Sequence, residues 1–413
     1  MKRFLALMGV AALGLAACAP EPLIPVPYRS AEPAVEAPAE AGTTAELKPA
    51  PTTEPGVEET VAGESVAPMG QCRLLAESLT PEERVGQLFM VGVDTGGLDP
   101  VTQNAILNSK VGSVVLLGNS TAGSDSIRKL TAALGSLGTA KLPLLIAVDQ
   151  EGGTVQRLKG PGFSLMPPAR DQGAMAPSDL ETAAGMWAEE LRAAGIHYDL
   201  APVGDIVPEA KRSTNEPIGK LKRDFGADPE QVSEAVVSFV RGMQGAGVAT
   251  SVKHFPGLGE VVTNTDFGAA EDTDVTAKSV HLAPFRAAVD AGVDSVMISS
   301  AVFTNIDPDN EGVFSSAIVT DLLREELGFD GVAITDDLGA AAAVKTVPPA
   351  DRAVRFIRAG GDIVINANPR IMGEMAAATL EAAAADAAFE AQVVDSATRV
   401  LRLKAAVGLV SCG

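Results

Sequence analysis

Four polar clusters stand out in the sequence, because each closes an apolar run with groups that carry charge or move protons. They are Asp149-Gln150-Glu151-Gly152-Gly153-Thr154-Val155-Gln156-Arg157, Gly204-Asp205, Lys253-His254-Phe255-Pro256-Gly257 and Thr335-Asp336-Asp337. A carboxylate can attack an electrophilic carbon or hand over a proton. Lys, Arg and His can donate hydrogen bonds to hydroxyl groups. An acidic pair with such partners is the equipment that glycoside hydrolysis uses. The clusters can act together only if the fold brings them to one place.

The elements that would do so are legible as a repeating pattern. Eight short runs rich in Val, Ile and Leu cover 87–93, 112–117, 144–149, 197–203, 248–254, 295–300, 331–336 and 362–367. Amphipathic helical patterns lie between them, at 179–194, 228–244, 277–290 and 316–327. Gly follows several helical stretches and precedes the next run, as at Ala194-Gly195, Ala246-Gly247, Ala291-Gly292 and Ala359-Gly360. That is the position of a helix C-terminal cap. Strands alternating with helices pair in parallel, and continuous apolar strands are buried on both faces. Eight such units predict an α/β fold of the (β/α)8 TIM-barrel type. The alternative is an open doubly wound sheet, but no glycine-rich nucleotide-binding stretch supports it. Chemistry in this barrel belongs at the C-terminal ends of the strands, where the polar clusters fall. Beyond residue 371 the chain is Ala-rich and predicted helical to about 403, packed outside the barrel.

The chain has 413 residues, 46% of them apolar and only 4% aromatic, with a formal net charge of −21. So acidic a surface repels phosphates and argues against nucleic acid as a partner. Residues 1–17 read as a lipoprotein signal peptide: basic Lys2 and Arg3, an apolar stretch too short to span a bilayer, then Leu15-Ala16-Ala17 directly before Cys18. Cys18 is the expected lipidation site, which makes the protein an exported one anchored to the outer face of the cell membrane. Residues 18–70 then form a Pro/Ala/Glu-rich tether without hydrophobic period. The remaining cysteines, Cys72 and Cys412, lie near the two ends of the expected globular region 71–413. Export allows a disulfide, and a Cys72–Cys412 bridge is expected. Three scattered histidines and these cysteines offer no metal cluster, so neither a metal nor an organic cofactor is expected.

Over about residues 75–410 the chain resembles family 3 glycoside hydrolases, in their single-domain β-N-acetylglucosaminidase branch. The resemblance is carried by Asp149-Gln150-Glu151-Gly152-Gly153-x-Val155-Gln156-Arg157, Lys253-His254-Phe255-Pro256-Gly257 and Thr335-Asp336-Asp337-Leu338, in that order and spacing. It implies that Asp336 is the nucleophile of a retaining reaction through a covalent glycosyl-enzyme. Asp149 would accept hydrogen bonds from sugar hydroxyls. Arg157, Arg223, Lys253 and His254 would donate them. The implied substrate is an amino-sugar oligosaccharide or muropeptide bearing terminal N-acetylglucosamine, handled by a monomer; the alternatives are another family 3 exo-glycosidase, a β-glucosidase or a phosphorolytic variant, or a non-catalytic sugar-binding lipoprotein. His197 and His281 fall outside the motifs and read as structural.

The resemblance breaks in one loop. The branch carries an Asp and a His as its acid/base dyad after Lys-His-Phe-Pro-Gly. Here Asn264 stands at the Asp position and Asp266 at the His position. Asn transfers no proton at neutral pH. Asp266 can, once burial or the charge of Asp336 raises its pKa. Asp266 is therefore the expected general acid/base, with Asn264 orienting it or binding substrate, and Glu260 on the same loop is the reserve candidate.

Overall fold

The computed structural model describes residues 69–412. The signal peptide, Cys18 and nearly all of the tether lie outside the described residues. All eight expected strands form. They are β1 (Phe89–Asp94), β2 (Ser113–Leu117), β3 (Leu145–Val148), β4 (Tyr198–Asp199), β5 (Ala249–Phe255), β6 (Ser295–Ile298), β7 (Val332–Thr335) and β8 (Val364–Asn366). Every pairing between them is parallel, in the order β7-β6-β5-β4-β3-β2-β1-β8. The sheet closes where Ile334 of β7 meets Ile363, ahead of β8, and Thr335 N donates to Ile363 O at 2.9 Å. This is the (β/α)8 barrel that the alternation of runs predicts.

Side-chain alternation divides the apolar residues into two cores. Met90, Val115, Leu145, Tyr198, Met297 and Ile334 fill the barrel interior. Their neighbours in sequence, such as Val91, Val114, Ile146 and Val296, face outward and pack under the surrounding helices. Gly195 and Gly247, at φ 79° and 81°, end the helices Pro177–Ala193 and Pro229–Gly245 in the left-handed conformation that glycine adopts freely.

Three helical expectations change in detail. The helix expected over 277–290 is regular only from Ala283 to Asp290, after a 3-10 turn at Val280–Leu282. Pro284 lacks an N–H and fits only the first turn of a helix. The stretch expected over 316–327 is wound as a wide π-helix, Ala317–Glu326. The C-terminal stretch is two helices, Met372–Ala385 and Ala387–Ala406, because Asp386 caps the second by accepting from Ala388 N at 3.0 Å.

The last of these helices also corrects the expected placement outside the barrel. Val400 and Leu403 join the interior core, with Val407 and Leu409 packed against it. The buried ammonium of Lys404 donates to Gln87 Oε1 (2.7 Å) and Pro143 O (2.9 Å), both just ahead of strands. The helix thus seals the end of the barrel where the strands begin. Cys72 and Cys412 are joined by the expected disulfide, across a sequence separation of 340 residues.

Candidate active site

At the opposite end, where the strands finish, the loops enclose a pocket of about 480 Å³. Its walls include Asp149, Arg157, Arg223, Lys253, His254, Asp266 and Asp336. All seven residues expected at the site therefore meet around one cavity. Val115, Leu200, Met297 and Ile365 supply apolar wall between them.

Asp149 directly follows β3. A tight hairpin pairing Gln150–Gly152 with Val155–Gln156 then turns the chain back, so that Arg157 N lies 3.4 Å from Asp149 O. Gly152 at φ 97° makes this turn possible: a Cβ there would lie 2.2 Å from Pro167 O. The two glutamines of the motif hold the hairpin. Gln150 exchanges hydrogen bonds with the backbone of Leu158 at 2.9 and 3.0 Å, and Gln156 bonds Leu158 O, Ser164 O and Met166 N. Arg157 lines the pocket, and its Nε is buried without a hydrogen-bond partner.

Lys253 and His254 both line the pocket although they are neighbours in a strand, where side chains should alternate. The register between β5 and β6 explains this, because it slips by one residue between Lys253 and Phe255. Such a bulge re-aims a side chain. Lys253 Nζ bonds Asp149 Oδ1 and lies equally close, 2.6 Å, to Glu151 Oε1. His254 Nδ1 meets the fully buried Asp205 Oδ2 at 2.7 Å, and Asp205 Oδ1 accepts from His254 N and Leu258 N. Asp205 fixes the ring and leaves Nε2 for the pocket.

Glu151 and Asp205 belong to the polar clusters of the sequence but carried no expected role at the site. Glu151 is 3% exposed. It takes Arg223 bidentately, Nε to Oε2 and Nη2 to Oε1, both at 2.7 Å. Burial opposes its ionisation, but Arg223 and Lys253 outweigh that and hold its carboxyl well below the usual range. Arg223 is correspondingly clamped and only partly exposed, further fixed by Nη1 donating to Pro217 O at 2.8 Å. The signal was available in the motif: two residues after Asp149, a carboxylate on a strand-end hairpin faces whatever cations share the mouth.

Asp336 emerges from β7. Its backbone N donates to Ile298 O at 3.1 Å and its Oδ1 accepts from Asp337 N at 2.8 Å. The neighbouring Asp337 is consumed by its own loop. Its oxygens accept from Gly339, Ala340, Ala341 and Ala367 backbone N–H groups at 2.7–3.1 Å. Asp336 is thus the carboxylate of the pair that is left for chemistry.

Across the pocket, Asn264 Oδ1 accepts from Asp266 N at 2.9 Å and Asn264 O accepts from Phe267 N at 3.0 Å, turning the loop so that Asp266 stands at the rim. Two bonds tie this turn to the loop after β7: Ala342 N to Asp266 O (3.2 Å) and Ala343 N to Thr265 O (3.1 Å). Desolvation, and after it the negative charge of Asp336, raises the Asp266 pKa from its ordinary value, against the opposing pull of Arg223 and His254. Glu260, the reserve candidate, does not line the pocket. Its carboxylate is held beneath the loop by Lys211 and by His281 Nε2 at 3.2 Å. It anchors the loop base, as does buried Asn215, whose Nδ2 donates to Leu258 O and Val261 O at 2.7 Å.

The Glycosyl hydrolase family 3 N terminal domain matches residues 80–403. A β-hexosaminidase of Stenotrophomonas maltophilia is 34% identical over 296 residues, which is 70% of this chain and 85% of that protein. The crystal structure of a β-N-acetylhexosaminidase from Beutenbergia cavernae superposes with a TM-score of 0.78 at 48% identity, covering 79% of this chain and 99% of the other. A family 3 β-N-acetylglucosaminidase from Paenibacillus superposes with a TM-score of 0.73 at 30% identity, over 80% of this chain and 63% of that one.

Proposed function

The chain belongs to glycosyl hydrolase family 3 and is a glycoside hydrolase, and from that premise we propose that it is a retaining exo-β-N-acetylglucosaminidase. The observation that carries this reading is the meeting of Asp336 and Asp266 on one small pocket whose remaining polar groups suit sugar hydroxyls. Further support comes from the β-N-acetylhexosaminidase it resembles at 48% identity over 99% of that chain.

In the first step the Asp336 carboxylate attacks the anomeric carbon of the terminal sugar. The bond to the glycosidic oxygen breaks, and Asp266 gives that oxygen its proton. In the second step Asp266, now a carboxylate, takes a proton from water. The water oxygen attacks the anomeric carbon and frees Asp336, with net retention. Burial, and after it the charge of Asp336, raises the Asp266 pKa, the direction that suits a proton donor. Asp149, Arg157, Arg223, Lys253 and His254 hold the ring.

The test compares two substrates that differ in leaving group. N,N′-diacetylchitobiose needs a proton on departure and N-acetylglucosaminyl fluoride does not. Asp266→Ala should lower kcat/KM on the disaccharide by roughly 10²–10⁴-fold and leave the fluoride nearly untouched. Asp336→Asn should abolish both, and a mechanism-based fluorosugar should label Asp336. Free N-acetylglucosamine should be the product with or without phosphate. Full disaccharide activity in Asp266→Ala would end the assignment of that residue.

The finer setting belongs to the same proposal. Cys18 and the signal before it support lipid anchoring at the outer face of the cell membrane, where amino-sugar oligosaccharides and muropeptides are at hand. Fatty-acid labelling that vanishes in Cys18→Ala checks this.

A further inference from the structure

Phe267 is 83% exposed, the most exposed large apolar side chain among the described residues, and it lines the catalytic pocket. A lone exposed apolar residue is ordinary on a surface. Position sets this one apart. It directly follows Asp266, and its backbone is fixed, Phe267 N donating to Asn264 O at 3.0 Å inside the turn that presents the acid/base.

The turn itself is pinned to the nucleophile's loop through Asp266 O and Thr265 O. The ring is therefore carried on an anchored platform. Leu221, 36% exposed, also lines the pocket and adds a second apolar group to its walls.

The reaction geometry says what such a ring borders. The proton of Asp266 must reach the glycosidic oxygen, which divides the sugar held in the pocket from the group that leaves. On the proposed reading Asp149, Arg157 and Lys253, which line the pocket, hold the former. A side chain beside the proton donor, exposed to solvent, borders the latter. A pyranose ring presents C–H groups on its face, and an aromatic ring offers them a flat, electron-rich surface. Resting on the N-acetylglucosaminidase reading, we propose that Phe267 forms the stacking platform for the leaving-group sugar, so that the preferred substrate carries a pyranose ring there.

The experiment measures kcat/KM for N,N′-diacetylchitobiose and for N-acetylglucosaminyl fluoride, whose leaving group has no ring, in wild type, Phe267→Ala and Phe267→Trp. Phe267→Ala should lose roughly three- to tenfold on the disaccharide and keep its rate on the fluoride. Phe267→Trp should retain the disaccharide rate. Equal loss on both substrates would show a merely structural role, and no loss on the disaccharide would show no platform; either overturns the inference while the glycosidase reading stands. A wild-type chain that cleaves neither substrate overturns both.

Discussion

Removing the Glu151 carboxylate would leave the buried Lys253 and the partly buried Arg223 without the carboxylate they share. Glu151→Gln should therefore cost roughly 3 kcal/mol of stability and raise KM, which chemical denaturation and steady-state kinetics read separately. Asp199 behaves differently. It is fully buried below Gln150, whose N donates to its Oδ1 at 2.9 Å, and its Oδ2 has no partner. Burial pushes its pKa up to about 8. Folded Asp199 thus keeps its proton up to about pH 8, while the unfolded chain releases it near pH ~3.9. Between those values the folded state binds more protons, so this group's contribution to stability falls as pH rises, by about 1.4 kcal/mol per pH unit at most. Asp199→Asn should remove that slope from a series of denaturation curves at pH 5 to 8 (on the order of those limits). At this scale the sequence was readable where a residue type ends a strand, as at Asp149, Lys253 and Asp336. It showed Glu151 and Asp205 within polar clusters but not the groups they hold, because the partner of a carboxylate depends on side chains more than 45 residues away in the chain.

The loop from Gly257 to Ala270 shows what an element adds to its residues. Its base is locked by Asn215 and by Glu260 with His281, while its tip hangs from the loop after β7 by two backbone hydrogen bonds. Asp266, the proposed acid/base, is thereby tied to the loop that follows Asp336, the proposed nucleophile. Ala342 opens a 3-10 turn and follows Ala341, which is extended at φ −57° and ψ 139°. Proline is tolerated at such a first position. Ala342→Pro should therefore delete only the N–H that reaches Asp266 O. We expect up to a roughly tenfold fall in kcat/KM on the disaccharide and a smaller one on the fluoride. Strands were the most legible elements, since each is a short β-branched run with a glycine before it or a polar cluster after it. The register slip at Lys253 was not legible, because the pattern of apolar residues continues through it unchanged. The late start of the helix Ala283–Asp290 could have been read from Pro284.

For the whole molecule, the ends of the folded region are held together by Cys72–Cys412, and neither cysteine lines the pocket. Replacing both with Ser should lower stability by about 2–5 kcal/mol, measured as a lower melting temperature, and leave kcat on the disaccharide unchanged. The barrel itself followed from counting eight runs. The role of its last helix did not, because an Ala-rich amphipathic segment reads the same whether it lies beside a barrel or across its end. The packed interior has a consequence for traffic. Val115, Leu200, Met297 and Ile365 of that core wall the pocket, so no passage leads from it through the barrel. A polymer cannot be threaded through it, so under the proposed exo-glycosidase reading each freed monosaccharide must back out before another chain end can enter. Digestion of a chitotetraose should accordingly be distributive, with trimer and then dimer building up in turn in a time course rather than monomer appearing alone.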